Sequence, residues 1–336
     1  MTTYKEIFGK QVKNLSSDPP AAISEGQIWY NTGSNTFKST LAVAAWSSGG
    51  NLPQVIAYNS GAGTQTAALS IAGQKGSTST LENVYEYDGS SWTDSSAPVN
   101  AFYGGATPPQ SAYYMAATGT QTAALIVGGG EQTNVVGEYN GSAWTSGGSY
   151  PISQVSQSSA SGLQTAAINV GGYSPPPGYA PQVLTYNGSS WSVSPVAFPT
   201  PSARLSSAGT TTALLVSGGT GSPGPIAIAQ EWNGSSWTTV GAPSAPKNDA
   251  KSTGVQTLAL KMYGTTGGTE QYNGSSWTTV ANQANARDWC TGGGSNDSSG
   301  TTGVQFGGKI GGGGPTFTAA TEEFTTANTV RTLTSS

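Results

Sequence analysis

The sequence predicts an all-β protein built from six copies of one short unit, and three observations support this. A tight-turn motif containing Asn-Gly or Asp-Gly recurs along the chain, and a second motif rich in Thr, Ala and Gly alternates with it. No segment shows a sustained helical period. Copies of a short unit bury their apolar faces by stacking on one another, so we expect an array of small sheets.

The first motif reads aromatic residue, Asn or Asp, Gly, Ser, Ser or Ala, and Trp, and it occurs five times. Its closing tryptophans recur at intervals of 40 to 52 residues, and Ala45–Gly50 adds a sixth Trp in register. Asn-Gly and Asp-Gly between β-prone runs are the strongest short hairpin signal, because both residues tolerate positive φ. The tryptophans in register are Trp46, Trp92, Trp144, Trp191, Trp237 and Trp277.

The second motif reads Gly-Thr-Gln-Thr-Ala-Ala-Leu, followed by an apolar pair and glycines. Its apolar run is too short for a helix and ends in glycine, which favours a strand. A further strand is predicted between the proline that opens each unit and this motif, for example over residues 113–115. Four short antiparallel strands in each period of 40 to 50 residues are the signature of a β-propeller blade.

The order of a glycine pair, a tyrosine, a tight turn and a tryptophan, seen cleanly from Val127 to Trp144, resembles the kelch repeat. The residue sequence of the second motif, together with the N-terminal segment, resembles kelch-like virion structural proteins of marine tailed phages, notably phages that infect cyanobacteria. The resemblance implies a six-bladed kelch-type β-propeller, in which the glycine pair admits a neighbouring strand and the Trp packs between blades. The glycines concerned include Gly128, Gly129, Gly171, Gly172, Gly218 and Gly219.

Residues 1–48 lie outside the regular period and are predicted to form a separate segment before a propeller over residues 49–336. Residues 25–38 read as a hairpin, and similar segments in phage tail and fibre proteins resemble attachment or oligomerisation modules. The segment either attaches the chain to other virion proteins or helps to close the propeller. For closure, we expect the strand over residues 41–46, which ends at Trp46, to complete the sixth blade, with residues 330–333 as the competing outer strand.

The composition excludes several chemistries. The chain has no histidine and one cysteine, Cys290, so a histidine-ligated metal, a histidine base and an internal disulfide cannot form. The net charge of −4 with only 12 Lys and Arg argues against a nucleic-acid partner. No run of 18 apolar residues occurs, so we expect a soluble chain without membrane insertion. No cofactor and no metal are expected.

Candidate catalytic residues are scarce. The chain has three arginines, Arg204, Arg287 and Arg331, the number with which sialidases bind a carboxylate, and we interpret this as coincidence. A glycan hydrolase needs two carboxylates flanking the sugar. The carboxylates that do not recur with the repeat fall in predicted loops, where solvated charge is the simpler interpretation, and they include Asp249, Asp288 and Asp297.

Binding is more plausible than catalysis, because aromatic faces, hydroxyls and amides are plentiful. Aromatic rings outside the repeat consensus are the candidate ligand-binding residues, with gap-filling between blades as the alternative. Residues 174–181 form a stiff, proline-rich loop that presents one of these rings. The candidates are Tyr103, Tyr150, Tyr173, Tyr179 and Trp289.

The sequence therefore favours a non-enzymatic virion structural protein on a phage tail, fibre or capsid surface, assembled in the host cytoplasm and adhering to host surface glycans. A surface or secreted kelch-type lectin of a bacterium is the first alternative, and a glycan hydrolase is the second. The sequence leaves the oligomeric state open, including a homo-oligomer.

Overall fold

The structure, a computed structural model, describes residues 12–21, 24, 26–76, 79–99, 112–130, 134–152, 156–174, 178–264, 266–293, 300–310 and 316–333 of the chain. These residues form an all-β protein without a helix, and none of their segments is a helix able to cross a membrane. The chain divides into an N-terminal unit, Met1–Ala45 with Thr325–Ser336, and a repeat unit, Trp46–Phe324.

The N-terminal unit contains the hairpin that the sequence predicts. Strand β2 runs antiparallel to β3, with Ile28 opposite Ser39, and β1 pairs with β2 in parallel. The turn forms because the Oδ1 of Asn31 accepts the backbone N–H groups of Gly33 and Ser34 at 2.9 and 3.0 Å. The strands are β1 (Lys13–Leu15), β2 (Ile28–Asn31) and β3 (Thr36–Ser48).

Five copies of the repeat each form one four-stranded antiparallel sheet, which confirms the prediction of four strands per copy. Each sheet keeps its strands in chain order, and the third has a two-stranded ribbon, β14–β15, inserted before its third strand. The strands are β4 (Ser60–Thr64), β5 (Ala67–Lys75), β6 (Ser79–Tyr87) and β7 (Trp92–Asp94); β8 (Ala116–Thr120), β9 (Ala123–Val127), β10 (Val136–Tyr139) and β11 (Trp144–Ser146); β12 (Ser159–Leu163), β13 (Ala166–Val170), β14 (Tyr173–Ser174), β15 (Gly178–Tyr179), β16 (Val183–Tyr186) and β17 (Trp191–Val193); β18 (Ser206–Gly209), β19 (Leu214–Ser217), β20 (Ala229–Trp232) and β21 (Trp237–Thr239); and β22 (Lys251–Val255), β23 (Leu258–Met262), β24 (Thr269–Tyr272) and β25 (Trp277–Thr279).

The sixth sheet of the repeat unit is completed from the other end of the chain. Strand β31 lies between β28 and β3, so the residues of β3 from Trp46 onward provide the fourth strand. The Nε1 of Trp46 donates to the Oγ1 of Thr269 at 3.0 Å, and its ring lies 5.5 Å from that of Phe324. The Trp slot is therefore filled as predicted, and the competing outer strand over 330–333 is wrong because residues 330–332 continue β31. The remaining strands are β26 (Arg287–Asp288), β27 (Thr291–Gly293), β28 (Thr302–Phe306), β29 (Lys309–Ile310), β30 (Thr316–Phe317) and β31 (Thr321–Thr332).

The first strands of the six sheets contact one another in a cyclic order: β27, β4, β8, β12, β18, β22 and β27 again. Hydrogen bonds from a tyrosine to a glutamate of the preceding sheet join four of the neighbouring pairs. The bonds are Tyr139 to Glu86 at 2.7 Å, Tyr272 to Glu231 at 3.0 Å, Tyr87 to Glu323 at 2.5 Å, and Tyr186 to Glu138.

One of the repeated tryptophans and one of the repeated glycines illustrate the contacts between sheets. Trp144 packs in a cluster that contains Ile71 of the preceding sheet, and its Nε1 donates to the carbonyl of Ala97 at 3.1 Å. Gly171 has φ of +64°, and a Cβ there would lie 2.4 Å from the carbonyl oxygen of Ser202, which precedes the next sheet. A side chain at this glycine would separate the two sheets.

The prediction of a strand over residues 113–115 is wrong. Strand β8 begins at Ala116, and Tyr114 has φ of 59°, a left-handed conformation that differs from the extended backbone of a regular strand. Tyr114 instead belongs to a ring of residues described next.

Candidate ligand-binding site

Six residues that each precede a first strand by two positions form a ring, which we call the entry ring. All six are non-glycine residues with φ between 55° and 59°, although that region is sparsely populated by such residues. All six are half-buried. The members are Tyr58, Tyr114, Gln157, Arg204, Asp249 and Trp289.

Backbone hydrogen bonds link five successive members of the entry ring, from Trp289 to Arg204. The N–H of Tyr58 donates to the carbonyl of Trp289 at 2.9 Å, that of Tyr114 to Tyr58 at 3.2 Å, and that of Gln157 to Tyr114 at 3.1 Å. The N–H of Arg204 donates in turn to Gln157 at 2.8 Å. These bonds hold the unusual backbone in place, and residues held so are concentrated at ligand sites and active sites.

The six side chains of the entry ring comprise five residue types, and three of them form an aromatic half. The ring centroids of Tyr58 and Tyr114 lie 4.9 Å apart, those of Tyr58 and Trp289 also 4.9 Å, and those of Tyr114 and Trp289 5.4 Å. A continuous aromatic surface of this kind presents ring faces and edges to one bound molecule.

The other half of the entry ring is polar and is organised by Arg204. Its Nε donates to the Oε1 of Gln157 at 2.8 Å, and its Nη1 lies 3.5 Å from the Oδ2 of Asp249. The guanidinium carbon also lies 4.1 Å from the ring centre of Trp289, which is cation–π distance. Arg204 therefore joins the polar half to the aromatic half and holds both in one arrangement.

Burial shapes the charges of the entry ring. Burial raises the pKa of Asp249 to about 6, while the neighbouring charges of Arg204 and Lys251 oppose that rise. Burial also raises the pKa of the Tyr114 hydroxyl, so this group stays neutral and available as a donor. The carboxyl of Asp249 thus changes its charge in the mildly acidic range.

Two cavities open on the entry ring. A cavity of about 50 Å³, the outer cavity, lies against all six members and continues to Lys251 and Cys290. A larger one of about 390 Å³ is lined by Gln157, Arg204, Tyr173, Tyr179 and Thr220. The rings of Tyr173 and Tyr179 meet edge to face at 6.0 Å on the ribbon β14–β15. The larger cavity therefore brings two of the sequence-predicted aromatic residues together with Arg204.

The remaining predicted residues fall elsewhere. Tyr150 is 2% exposed and donates to the Oδ1 of Asn169 at 2.9 Å, so it packs in the interior and offers no face to a ligand. Trp289 is a member of the entry ring, and Tyr103 lies outside the described residues. Asp297 also lies outside them, and Asp288 is nearly buried at 8% exposure.

Arg287 does not join Arg204 in a carboxylate-binding cluster. Its side chain is fully buried, and its Nη2 lies 2.7 Å from the Oε2 of Glu322. A buried ion pair of this kind is a structural element of the sheet contact, because neither group can turn outward without leaving the other charge unpaired. The arginines therefore give no support to a sialidase site.

Sequence reasoning missed five of the six members of the entry ring as a set. Tyr58, Tyr114 and Gln157 were not singled out, and Arg204 and Asp249 were considered only for catalysis. The available signal was positional. Aligning the copies on the start of the first strand shows a column that holds five residue types in six copies, with tyrosine alone occurring twice.

No protein-family model and no curated protein sequence matches the chain. The kelch and phage resemblance therefore rests on the motifs in the sequence, and the geometry of the entry ring is the main guide to function.

Proposed function

We propose that the repeat unit is a closed six-bladed kelch-type β-propeller that binds carbohydrate without turning it over. The cyclic order of the first strands supports the closure, as does the repeated Tyr–Glu bond between sheets. In such a propeller the entry ring surrounds one end of the central channel, and a ligand can reach this position from solvent.

The observation that carries the binding role is the varied chemistry of the entry ring. The residues that build the sheets largely recur from copy to copy, whereas these six equivalent positions hold five residue types of mixed chemistry. A packed aromatic surface next to an arginine, an amide and a carboxyl provides stacking faces together with convergent polar groups. This combination is typical of a small-molecule or sugar site.

The proposal places the protein on a phage virion, on the strength of the motif resemblance, with the N-terminal unit as the attachment segment. This unit exposes large apolar side chains, which suits contact with another protein. Those exposed by more than a third are Ile28, Phe37, Leu41 and Leu333. Immunogold labelling of purified phage particles with an antibody to the repeat unit tests the location, and the absence of label contradicts it.

A binding titration tests the carbohydrate role. Purified protein is titrated with surface polysaccharide of the host, and Trp289→Ala and Tyr179→Ala are each expected to weaken binding about tenfold or more, because each removes a stacking face. Phe37→Ala, which removes an exposed aromatic ring of the N-terminal unit, is the matched control and should leave affinity unchanged. Equal affinity in all four proteins contradicts the proposed site.

A glycan hydrolase is the second candidate, because Asp249 has a pKa raised to about 6, as a general acid requires. Hydrolysis needs a second carboxylate across the sugar. Among the described residues that line the outer cavity, Asp249 is the only carboxylate. We therefore expect no new reducing ends when the protein is incubated with the same polysaccharide. Release of reducing ends that Asp249→Asn abolishes supports the hydrolase instead.

A further inference from the structure

Beneath the entry ring, the first strands present a second set of six equivalent positions, each being the first residue of its strand. Five of these carry small side chains, namely Ser60, Ala116, Ser159, Ser206 and Thr291. The sixth is Lys251. A long cation in a layer of small residues projects into space that the other five leave open.

Lys251 lies in the wall of two cavities. One is the outer cavity, and the other, the inner cavity, also has a volume of about 50 Å³ and is lined by the small residues of the first strands. Gly292 of the adjacent first strand also lines the inner cavity. Apart from the entry ring, the two cavities, which we call the channel beside Lys251, are lined mainly by serine hydroxyls, small side chains and backbone, with Met115 and Leu205 as the larger apolar groups.

The ammonium of Lys251 makes no hydrogen bond and no ion pair with any residue that the structure describes. The nearby carboxylate of Asp249 is engaged by Arg204 at 3.5 Å. The hydroxyl of Ser252, in the wall of the inner cavity, is likewise buried without a partner among the described residues. A cation and a hydroxyl donor without a partner in one cavity are the groups that an anion requires, and the buried hydroxyl gains a hydrogen bond when such an anion is present.

We propose that the channel beside Lys251 binds an oxyanion and, resting on the proposed carbohydrate function, that it takes the carboxylate or sulfate group of an acidic sugar. The size of the channel supports this assignment. A cavity of about 50 Å³ holds a few water-sized groups but not a sugar ring. The sugar ring stacks at the aromatic half of the entry ring, and its charged substituent enters the channel. Burial lowers the pKa of Lys251, and a bound anion reverses that effect.

The test uses inorganic sulfate, galacturonate and galactose as probes in calorimetric titrations of the full chain. Wild-type protein should bind sulfate, and it should bind galacturonate about tenfold or more tightly than galactose. Lys251→Met keeps the length of the side chain and should lose sulfate binding and the preference for galacturonate, because a charge-assisted bond contributes about a factor of ten or more. Lys75→Met, at a lysine whose ammonium bonds only to Gln54 among the described residues, is the control.

The outcomes separate this inference from the function on which it rests. If galactose and galacturonate bind equally and sulfate does not bind, the oxyanion site is overturned and the carbohydrate role is retained. If the wild-type protein binds sulfate, Lys251→Met does not, and neither protein binds a sugar, the channel is a site for free anions and its acidic-sugar assignment is overturned. Binding of sulfate unchanged in Lys251→Met overturns the proposal.

Discussion

Lys261 is a fully buried lysine in the contact between two sheets. Its Nζ donates to the Oγ of Ser217 at 2.9 Å, and burial lowers its pKa to about 7, against the opposing effect of Glu270. In the unfolded chain the same group has its ordinary pKa of 10.5. Between these two values the unfolded state binds more protons than the folded state, so the free energy of unfolding rises with pH.

Lys261→Met should reduce this pH dependence. We expect the wild-type free energy of unfolding to increase between pH 7 and pH 9 by a few kcal/mol, and that of the variant to rise less steeply, because one buried base is gone while Lys251, whose pKa burial also lowers, remains. Urea titrations at several pH values provide the measurement, with Lys75→Met as an exposed control. Parallel pH profiles for wild type and Lys261→Met would show that the buried lysine does not cause the slope.

The role of a single residue could be predicted from the sequence where that residue recurs in the repeat. The consensus tryptophans and glycine pairs could be given a structural role because each occurs several times in one context, and Trp144 and Gly171 lie at contacts between sheets. The entry ring was missed because positive φ at residues such as Tyr114 or Arg204 has no composition signature. The role of Arg204 also depends on side chains from other copies, Gln157 and Asp249, whose proximity only the fold reveals.

The contacts between sheets use one recurrent pair of residues, and its two positions can be located in the sequence once the structure has identified them. Four contacts use a tyrosine donor and a glutamate acceptor. In the two other contacts both partners are replaced. Thr185 takes the glutamate position opposite Trp232 of the next sheet, and Gln271 takes it opposite Phe324. A donor has been lost wherever its acceptor is missing, which supports the cyclic order of the sheets.

A double-mutant cycle on Tyr139 and Glu86 measures one such contact. Tyr139→Phe and Glu86→Gln should each destabilise the fold, and the coupling energy between them should be about 1–2 kcal/mol, as for a partly buried bond to a charged group. Chemical unfolding of the two single variants and the double variant provides the values. Additive losses would mean that the 2.7 Å bond contributes nothing of its own.

The glutamine of the second motif has a role that the sequence did not suggest. The Nε2 of Gln121 donates to the carbonyl oxygens of Ala68 and Tyr87 in the preceding sheet, at 3.2 and 2.7 Å. Gln164 does the same one sheet later, to Ala124 and Tyr139. Both residues satisfy backbone acceptors across a contact, so the motif encodes attachment between sheets as well as a turn.

At the scale of the whole molecule, the structure of the sixth sheet predicts that the N-terminal segment stabilises the repeats. Deletion of residues 1–48 removes the strand that carries Trp46, and we expect a lower melting temperature together with exposure of the edge of β31. Trp46→Ala in the full chain should lower the melting temperature in the same direction, because its hydrogen bonds to Thr269 and Ala281 are lost. Differential scanning calorimetry measures both, and unchanged melting of the deletion variant would exclude this role.

The completion of the last sheet from both ends of the chain has a consequence for protein synthesis. Trp46 leaves the ribosomal exit tunnel before any of the repeats has been synthesised, and β31 emerges only after the other five sheets have been made. Until then β3 lacks its second partner, β31, and several sheet edges stay open, which are the features that promote aggregation of nascent proteins. Chaperone dependence should therefore fall sharply once about residue 332 has left the exit tunnel.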